Sequence, residues 1–450
     1  MDTPQQTENI PAVKKLADSV VLKAVLIGGL TLLLLIPTVW IQSLIQERQQ
    51  RQDEVIAEIS DKWAGQQLLE GPVLLLPYKS MVGRRDTSGA ITYKEVISTI
   101  HILPETLEIT GSAATETLHR GIYDAVVYDA DIKVSGRFSP LDLKKPGIDP
   151  AGILWNEAKV VIGLSDLKGL KNNPVIRLGS ETYGVEPDFT SLKLFSHNLV
   201  ILPDLGTVRN TGLDFSFDLD LKGSRQLSFL PLGKTTTVKL ESQWNNPSFT
   251  GRYLPEERQV GQDGFTAAWT MPYFNRPYPQ QWTGENTALQ AEEKAASFGV
   301  EFLLPVDQYQ KTMRSAKYAV LIILLTFAAL FFSEFLGKRK VHPFQYLLIG
   351  AAMIIYYILL LSFSEQLDFN TAYLIASAAT VILIGAFLAA ILNKRSAAAL
   401  AAILSTFYVF IFVLIQLQDL ALLLGSVGLF LIVAVMMYFS AKMDWSRQLS

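Results

Sequence analysis

The sequence has no cysteine among its 450 residues. Disulfide bonds, thiolate metal sites and thiol nucleophiles are therefore excluded. It also has no large excess of charge of either sign, since the formal net charge is -3 and the Lys and Arg residues are scattered. Phosphate contacts need a clustered basic surface, so the sequence predicts that the protein binds no nucleic acid.

Charge is also missing from a run near the N-terminus. Residues 24–45 contain no charged side chain, and they follow Lys14, Lys15 and Lys23. The run is longer than the roughly 7 to 15 residues of a signal-peptide core, and no small-x-small cleavage site follows it. We therefore predict a retained signal anchor, with residues 1–23 in the cytoplasm.

The last third of the chain contains five further apolar runs of 20 to 25 residues, each long enough to span a bilayer. The basic residues that separate or follow them, such as Lys338, Lys394 and Arg395, all fall on one side of the membrane, as the positive-inside rule requires. Both termini, including the tail 442–450, are therefore predicted to be cytoplasmic, and residues 46–317 to lie outside. The predicted spans are residues 318–337, 344–364, 369–393, 396–418 and 420–441.

Between the first two spans, the apolar residues change to a period of two. Phe215, Phe217 and Leu219 alternate with polar residues, which is typical of a half-buried antiparallel strand. Similar short runs, separated by Gly, Pro and Asn, favour a large all-β, two-sheet sandwich over an α/β fold. Residues 171–188 and 275–296 are predicted to be long loops. The predicted strands are 71–78, 91–103, 122–138, 159–164, 199–202, 213–221, 227–230, 235–241, 264–270 and 297–304.

A helical stalk is predicted to connect the first span to this domain. Within residues 46–67, Val55, Ile59 and Trp63 are spaced four apart and lie on one helix face. Docking of this face on the β domain is one interpretation. Dimerisation through the same face is the other, and the sequence leaves the oligomeric state open.

Catalytic motifs lack their required context. Ser165 and Lys168 match S-x-x-K, but Ser165 ends an apparent strand, and the companion motifs of the penicillin-recognising enzymes do not follow. The histidines of the domain have no zinc-binding spacing. We therefore predict no catalytic, metal or cofactor site, and a protein that is not an enzyme. A glycan-acting enzyme is an alternative, which would need carboxylates facing one groove.

Aromatic side chains are dense between residues 244 and 282. Such side chains either form a core or offer stacking surfaces to a ligand such as a sugar or a peptide. If this segment carries a binding surface, the predicted ligand contacts are Trp269, Tyr273 and Trp282.

Glu334 is the only charged residue within a predicted span. An intramembrane carboxylate is a candidate site for ion or proton handling. Glu334 also precedes Lys338 by four residues, so an ion pair near the membrane interface is the structural interpretation. A transporter or lipid-handling protein, for which Glu334 would be essential, is accordingly an alternative function.

Four segments resemble the CreD family of bacterial inner-membrane proteins. They are GPVLLLPY, NNPSFTGRYLPEERQVGQDGFTAAW, PVDQYQKTMRSAKYAVLIILLTF and HPFQYLLIG, starting at Gly71, Asn245, Pro305 and His342. The resemblance implies an inner-membrane protein associated with cell-envelope integrity, expressed under the Cre two-component system and linked to colicin tolerance and the β-lactam response. It implies no catalytic residue.

Topology, the aromatic segment and this resemblance together predict a protein that contributes to cell-envelope integrity without catalysis. Its periplasmic β domain is predicted to bind an envelope component or a partner protein. Its helices are predicted to lie in the lipid bilayer and to anchor or relay that contact.

Overall fold

The computed structural model describes residues 20–85, 91–142, 148–188, 194–284, 296–304, 308–337, 341–417 and 420–441. They belong to two compact units, one within Met1–Asp53 and Val306–Ser450 and the other within Glu54–Pro305. The first unit is helical and the second is built from strands.

Seven α-helices occur in the described part of the chain, and most are strongly apolar. Five of them are long and apolar enough to cross a membrane. A sixth crossing results if α2 and α3, which meet at a bend of 41°, form one span. The helices are α1 (Val20–Trp63), α2 (Gln308–Lys317), α3 (Ala319–Gly337), α4 (Pro343–Ser364), α5 (Phe369–Ile391), α6 (Lys394–Gln416) and α7 (Ala421–Ala441).

Local capping defines where several of these helices begin. The Asp368 carboxylate accepts a hydrogen bond from the Thr371 amide at the start of α5. The Asn393 side chain does the same for the Ser396 amide in α6. These caps satisfy amide groups that lack a partner within the helix. The short connections that carry them join consecutive apolar helices.

Helix α1 does not end with the predicted span, because it continues without a break through the predicted stalk to Trp63. The last turns contact the β unit directly. Glu58 pairs with Arg120, and Asp61 pairs with Lys168 at 2.7 Å. The Lys222 ammonium lies 4.1 Å from the centre of the Trp63 ring. The stalk therefore docks on the β domain, as one of the two interpretations predicted.

The β unit contains two large sheets, which confirms the predicted β-rich fold class. The bounds of the strands are β1 (Gln67–Arg85), β2 (Ile91–Ile102), β3 (Thr106–Arg120), β4 (Tyr123–Phe138), β5 (Lys159–Leu164), β6 (Val175–Leu178), β7 (Glu181–Gly184), β8 (Glu186–Asp188), β9 (Asn198–Ile201), β10 (Leu213–Ser224), β11 (Gln226–Phe229), β12 (Thr235–Ser242), β13 (Pro247–Gly251), β14 (Glu257–Gly261), β15 (Gly264–Met271), β16 (Gln281–Thr283) and β17 (Phe298–Phe302).

Both sheets mix parallel and antiparallel pairs. The first has nine strands in the order β13-β17-β11-β1-β5-β9-β8, and β2 joins β1 to β16 beside this path. The second has eight strands in the order β14-β15-β12-β3-β4-β10-β6-β7. The parallel pairs are β1 with β11 and β3 with β12. The sequence patterns had indicated no parallel pair.

A single aromatic-rich core lies between the two sheets. The Tyr128 ring of β4 packs 5.2 Å from the Phe302 ring of β17, and the Trp269 ring of β15 packs 5.6 Å from that of Phe298. Strand β5 is buried on both faces. Doubly buried strands are continuously apolar rather than alternating, which explains its sequence KVVIGL.

Several features of this unit differ from the sequence prediction. Strand β16 lies within residues 275–296, which were predicted to be a long loop and of which 285–295 are outside the described residues. Residues 171–188 were predicted to be a long loop, but they contain the short strands β6, β7 and β8. Strands β7 and β8 lie at sheet edges and bury little, so they show no alternation, and β6 alternates over only four residues. Strand β3 was not predicted, because Gly111 and Ala113 occupy two of its inward positions in place of large apolar residues.

Candidate functional site

The predicted ligand contact Trp269 lies in the core, so its assignment to a binding surface is wrong. Its side chain is 1 % exposed, and its ring packs 5.9 Å from that of Phe249. The indole nitrogen donates a hydrogen bond to the carbonyl oxygen of Tyr253. Every second residue of β15 points inward, and Trp269 is one of them. The alternative interpretation of this tryptophan as a core residue is therefore confirmed.

Tyr273 is accessible, and it belongs to a well-anchored turn. The Arg276 guanidinium lies 5.1 Å from the centre of its ring. Arg276 also donates hydrogen bonds to the Leu232 carbonyl oxygen and to the Gln280 side chain. Burial lowers the pKa of Arg276 from its ordinary value. Phe274, which follows Tyr273 in this turn, has 95 % of its surface exposed to solvent.

Trp282 is half-buried and stacks on His101 of the neighbouring strand. The ring centres are 4.9 Å apart and the planes differ by 5°. Burial lowers the pKa of His101 to about 4, because desolvation disfavours the charged imidazolium. The stack therefore contains a neutral histidine at neutral pH.

Strands β1 and β2 carry an exposed apolar stripe on the face that also bears His101. The stripe consists of Met81, Tyr93 and Ile97, which are 67 %, 68 % and 64 % exposed. Register places the three side chains on one face, since Gly83 pairs with Tyr93, Met81 with Glu95, and Lys79 with Ile97. An ion pair between Lys79 and Glu95, 3.0 Å long, crosses this face.

The stripe is connected to the predicted residue Trp282. His101 is four residues from Ile97 on β2, so the two side chains share a face, and Trp282 pairs with His101 in register. A cluster of exposed apolar side chains is a candidate interaction site. Sequence reasoning missed the stripe because β2 was predicted without assigning an inner and an outer face. The register of the hairpin is the signal that reveals it.

Acidification is expected to destabilise the β unit through His101. The unfolded histidine titrates near 6.5 and the folded one near 4. The unfolded state therefore takes up the proton first, and the stability is lost as pH falls from 6.5 towards 4. This shift corresponds to about 3 kcal/mol. Urea unfolding of the wild type and His101→Phe at pH 7, 5.5 and 4 isolates this contribution, because phenylalanine keeps an aromatic ring but does not titrate.

The exposed His119, which pairs with Asp124, supplies the matched control. His119→Phe should follow the wild-type loss of stability between pH 7 and pH 4. If His101→Phe lost as much stability as the wild type over this range, the assigned role of His101 would be wrong.

A polar groove lies on the second sheet, where a glycan-acting enzyme would need its carboxylates. It has a volume of about 660 Å³, and a neighbouring recess has about 400 Å³. Glu241 and Glu257 both line the recess, together with Lys239. Both glutamates are exposed, whereas a general acid in a glycosidase is sheltered from water. Neither Glu241 nor Glu257 is therefore sheltered in the way that a general acid of a glycosidase is.

The S-x-x-K residues connect the stalk to the β unit. The Ser165 hydroxyl donates a hydrogen bond to the Gln66 carbonyl oxygen and accepts one from the Leu68 amide. Lys168 binds Asp61, which raises the pKa of the lysine. The observed contacts are therefore structural. Among the described residues, no group of three or more His, Asp or Glu side chains is placed to hold a metal ion.

In the helical unit, Glu334 binds Lys23 of α1. The Lys23 ammonium donates hydrogen bonds to the Glu334 carboxylate and to the Val341 carbonyl oxygen. The Tyr346 hydroxyl donates to the second carboxylate oxygen at 3.3 Å. The predicted partner Lys338 lies outside the described residues. The carboxylate thus joins α1, α3 and α4, an arrangement that favours the structural interpretation of Glu334.

Together, these features define a multi-pass helical membrane protein with a large two-sheet β domain. A family model described as "Inner membrane protein CreD" matches residues 19–446. The chain is also 32 % identical over 419 residues to "Inner membrane protein CreD" of Escherichia coli strain K12, covering 93 % of this chain and 92 % of that protein. The chain therefore belongs to the CreD family, which confirms the resemblance found in the sequence.

Proposed function

We propose that this inner-membrane protein supports the integrity of the cell envelope by binding, without catalysing a reaction. The β domain lies in the periplasm, both termini lie in the cytoplasm, and the domain binds an envelope component or a partner protein. Membership of the family supports the inner-membrane location. The distribution of basic residues between spans supports the proposed periplasmic location.

The observation that carries the binding proposal is the exposed stripe of Met81, Tyr93 and Ile97. Large apolar side chains on one hairpin face lose contact with water when a partner covers them, and about 25 cal/mol is gained per Å² of apolar surface buried. An aromatic side chain at the centre of an interface is a typical energetic anchor. Tyr93 is the aromatic residue of the stripe, and Glu95, which pairs with Met81, separates it from Ile97 along β2.

Site-specific crosslinking in intact cells tests this proposal. A photoreactive amino acid at Met81 should give a discrete adduct. Tyr93→Ser combined with Ile97→Ser should lower the adduct yield at least tenfold, because an interface anchor contributes about 2 kcal/mol or more. The same double variant should reduce envelope tolerance to detergent, although protein abundance stays at the wild-type level.

Val260 provides the control, since it is an exposed apolar residue on the separate strand β14. The probe at Val260 should give no such adduct, and Val260→Ser should preserve detergent tolerance. Unchanged adduct yield and tolerance in the double serine variant would rule out the stripe as the binding surface.

Labelling provides an independent check of location in the same cells. The chain has no native cysteine, so Tyr93→Cys creates a single thiol. A membrane-impermeant maleimide added to spheroplasts should label it. Protection of this thiol until the membrane is permeabilised would contradict the periplasmic location.

A further inference from the structure

An open cleft lies in the helical unit between α3, α6 and α7. Helix α7 approaches α6 closely through glycines: a Cβ at Gly425 would lie 3.9 Å from Leu414, and one at Gly428 would lie 2.3 Å from the Phe410 ring. A side chain at position 428 would require the Phe410 ring to move. From this crossing towards the Lys394 end of α6, the three helices line a cleft of about 630 Å³.

The lining of the cleft matches a hydrocarbon chain. Its walls are formed by small and branched apolar side chains, including Ala328, Ala329, Ala399, Ile403, Leu431 and Val435. None of the described residues that line the cleft is charged. Its volume is typical of a site for a small molecule, for which about 300 to 1,000 Å³ is usual.

The length of the cleft corresponds to one leaflet of a bilayer. Its lining residues on α6 extend from Ser396 to Phe407. Eleven residues of helix rise about 16 Å, and half of the hydrocarbon core is about 15 Å. A bound acyl chain would therefore lie parallel to the helices and end near the middle of the membrane.

Positive charge lies at the end of the cleft where α6 begins. Arg395 precedes the lining residue Ala399 by one helical turn, so both lie on one face of α6. Lys394 is adjacent, and both basic side chains are exposed. Neither forms an ion pair with a described acidic residue. A basic side chain at this depth attracts an anionic lipid headgroup.

We propose that this cleft binds one acyl chain of an anionic phospholipid, whose phosphate contacts Arg395 and Lys394. We assign a lipid as the occupant because the cleft has an apolar lining, the length of one leaflet, and basic side chains at the end where α6 begins. A helix from a second copy has a diameter of about 10 Å, and docking of such a helix would not explain the two basic side chains at the Lys394 end of the cleft. This site is independent of the function proposed for the β domain.

Native mass spectrometry of the full-length protein tests the site. Protein released from detergent is titrated with phosphatidylglycerol or phosphatidylcholine of identical acyl chains. The wild type should retain one phosphatidylglycerol with clear preference over phosphatidylcholine. Arg395→Gln should reduce this preference about fivefold, and the double variant with Lys394→Gln about 25-fold, because each basic residue near the surface contributes about 1 kcal/mol.

Ala399→Trp and Ala398→Trp form a matched pair that tests the cleft itself. Ala399 lines the cleft, whereas its neighbour Ala398 is exposed and does not. Tryptophan at 399 should abolish retention of the tightly bound lipid, and tryptophan at 398 should leave it unchanged. Thermal unfolding of both variants checks the fold.

Three results would overturn the proposal. They are equal retention of both phospholipids by the wild type, equal lipid loss in the 398 and 399 variants, and unchanged headgroup preference after both glutamine substitutions. The glutamine variants decide the matter if Ala399→Trp fails to fold, since they alter only exposed side chains. A dimer that persists when all lipid is removed would instead indicate a second copy in the cleft.

Discussion

Trp269→Ala is expected to lower the free energy of unfolding of the β unit by about 3 to 5 kcal/mol. The substitution removes a ring that packs against Phe249 and Phe298 between the two sheets. It also removes the donor that the Tyr253 carbonyl oxygen binds. Urea denaturation followed by far-UV circular dichroism measures the loss, since this signal does not depend on the tryptophan itself.

Phe274→Ala is the matched control for that experiment. It also truncates an aromatic side chain of the same segment, but Phe274 is 95 % exposed. Its effect on unfolding should stay within about 0.5 kcal/mol. Equal losses in the two variants would show that Trp269 does not pack as described.

This contrast shows what the sequence could and could not provide for the candidate site. The sequence shows that aromatic residues are dense between residues 244 and 282. Their number alone does not predict which side of a strand each residue faces. Once β15 is placed, alternation assigns Trp269 to the interior. Phe274 lies outside a strand, in a turn whose shape depends on Arg276 and Gln280. Those contacts are made in three dimensions, so no local pattern predicts them.

The helices were easier to predict because bilayer thickness imposes a length that a sequence shows directly. The predicted span 344–364 and helix α4 (Pro343–Ser364) differ by one residue. Long antiparallel strands with large alternating side chains, such as β10, were also found. The parallel pairing of β1 with β11 was not, since the pairing joins Gln67 to Leu227. Pairing across such a separation depends on the whole sheet.

Glu334→Ala is expected to destabilise the helical unit by about 3 to 5 kcal/mol, because it leaves the Lys23 ammonium without its carboxylate in a low-dielectric environment. The pair is largely sheltered, with side chains 23 % and 12 % exposed for Lys23 and Glu334. Midpoints of unfolding in a denaturing detergent, together with abundance in membranes, measure the loss. Lys23→Met should cause a similar loss for the converse reason.

The double variant Lys23→Met with Glu334→Leu separates structure from ion handling. Replacement of both members of a buried ion pair by apolar residues is often neutral or stabilising. If Glu334 serves only to hold α1, α3 and α4 together, the double variant should recover most of the stability and the full envelope tolerance. If the carboxylate carries ions or protons, stability will return but tolerance will not, and Glu334→Gln alone will abolish it. Because the carboxylate also accepts the Tyr346 hydrogen bond, we expect the recovery to fall short of the wild type by about 1 kcal/mol.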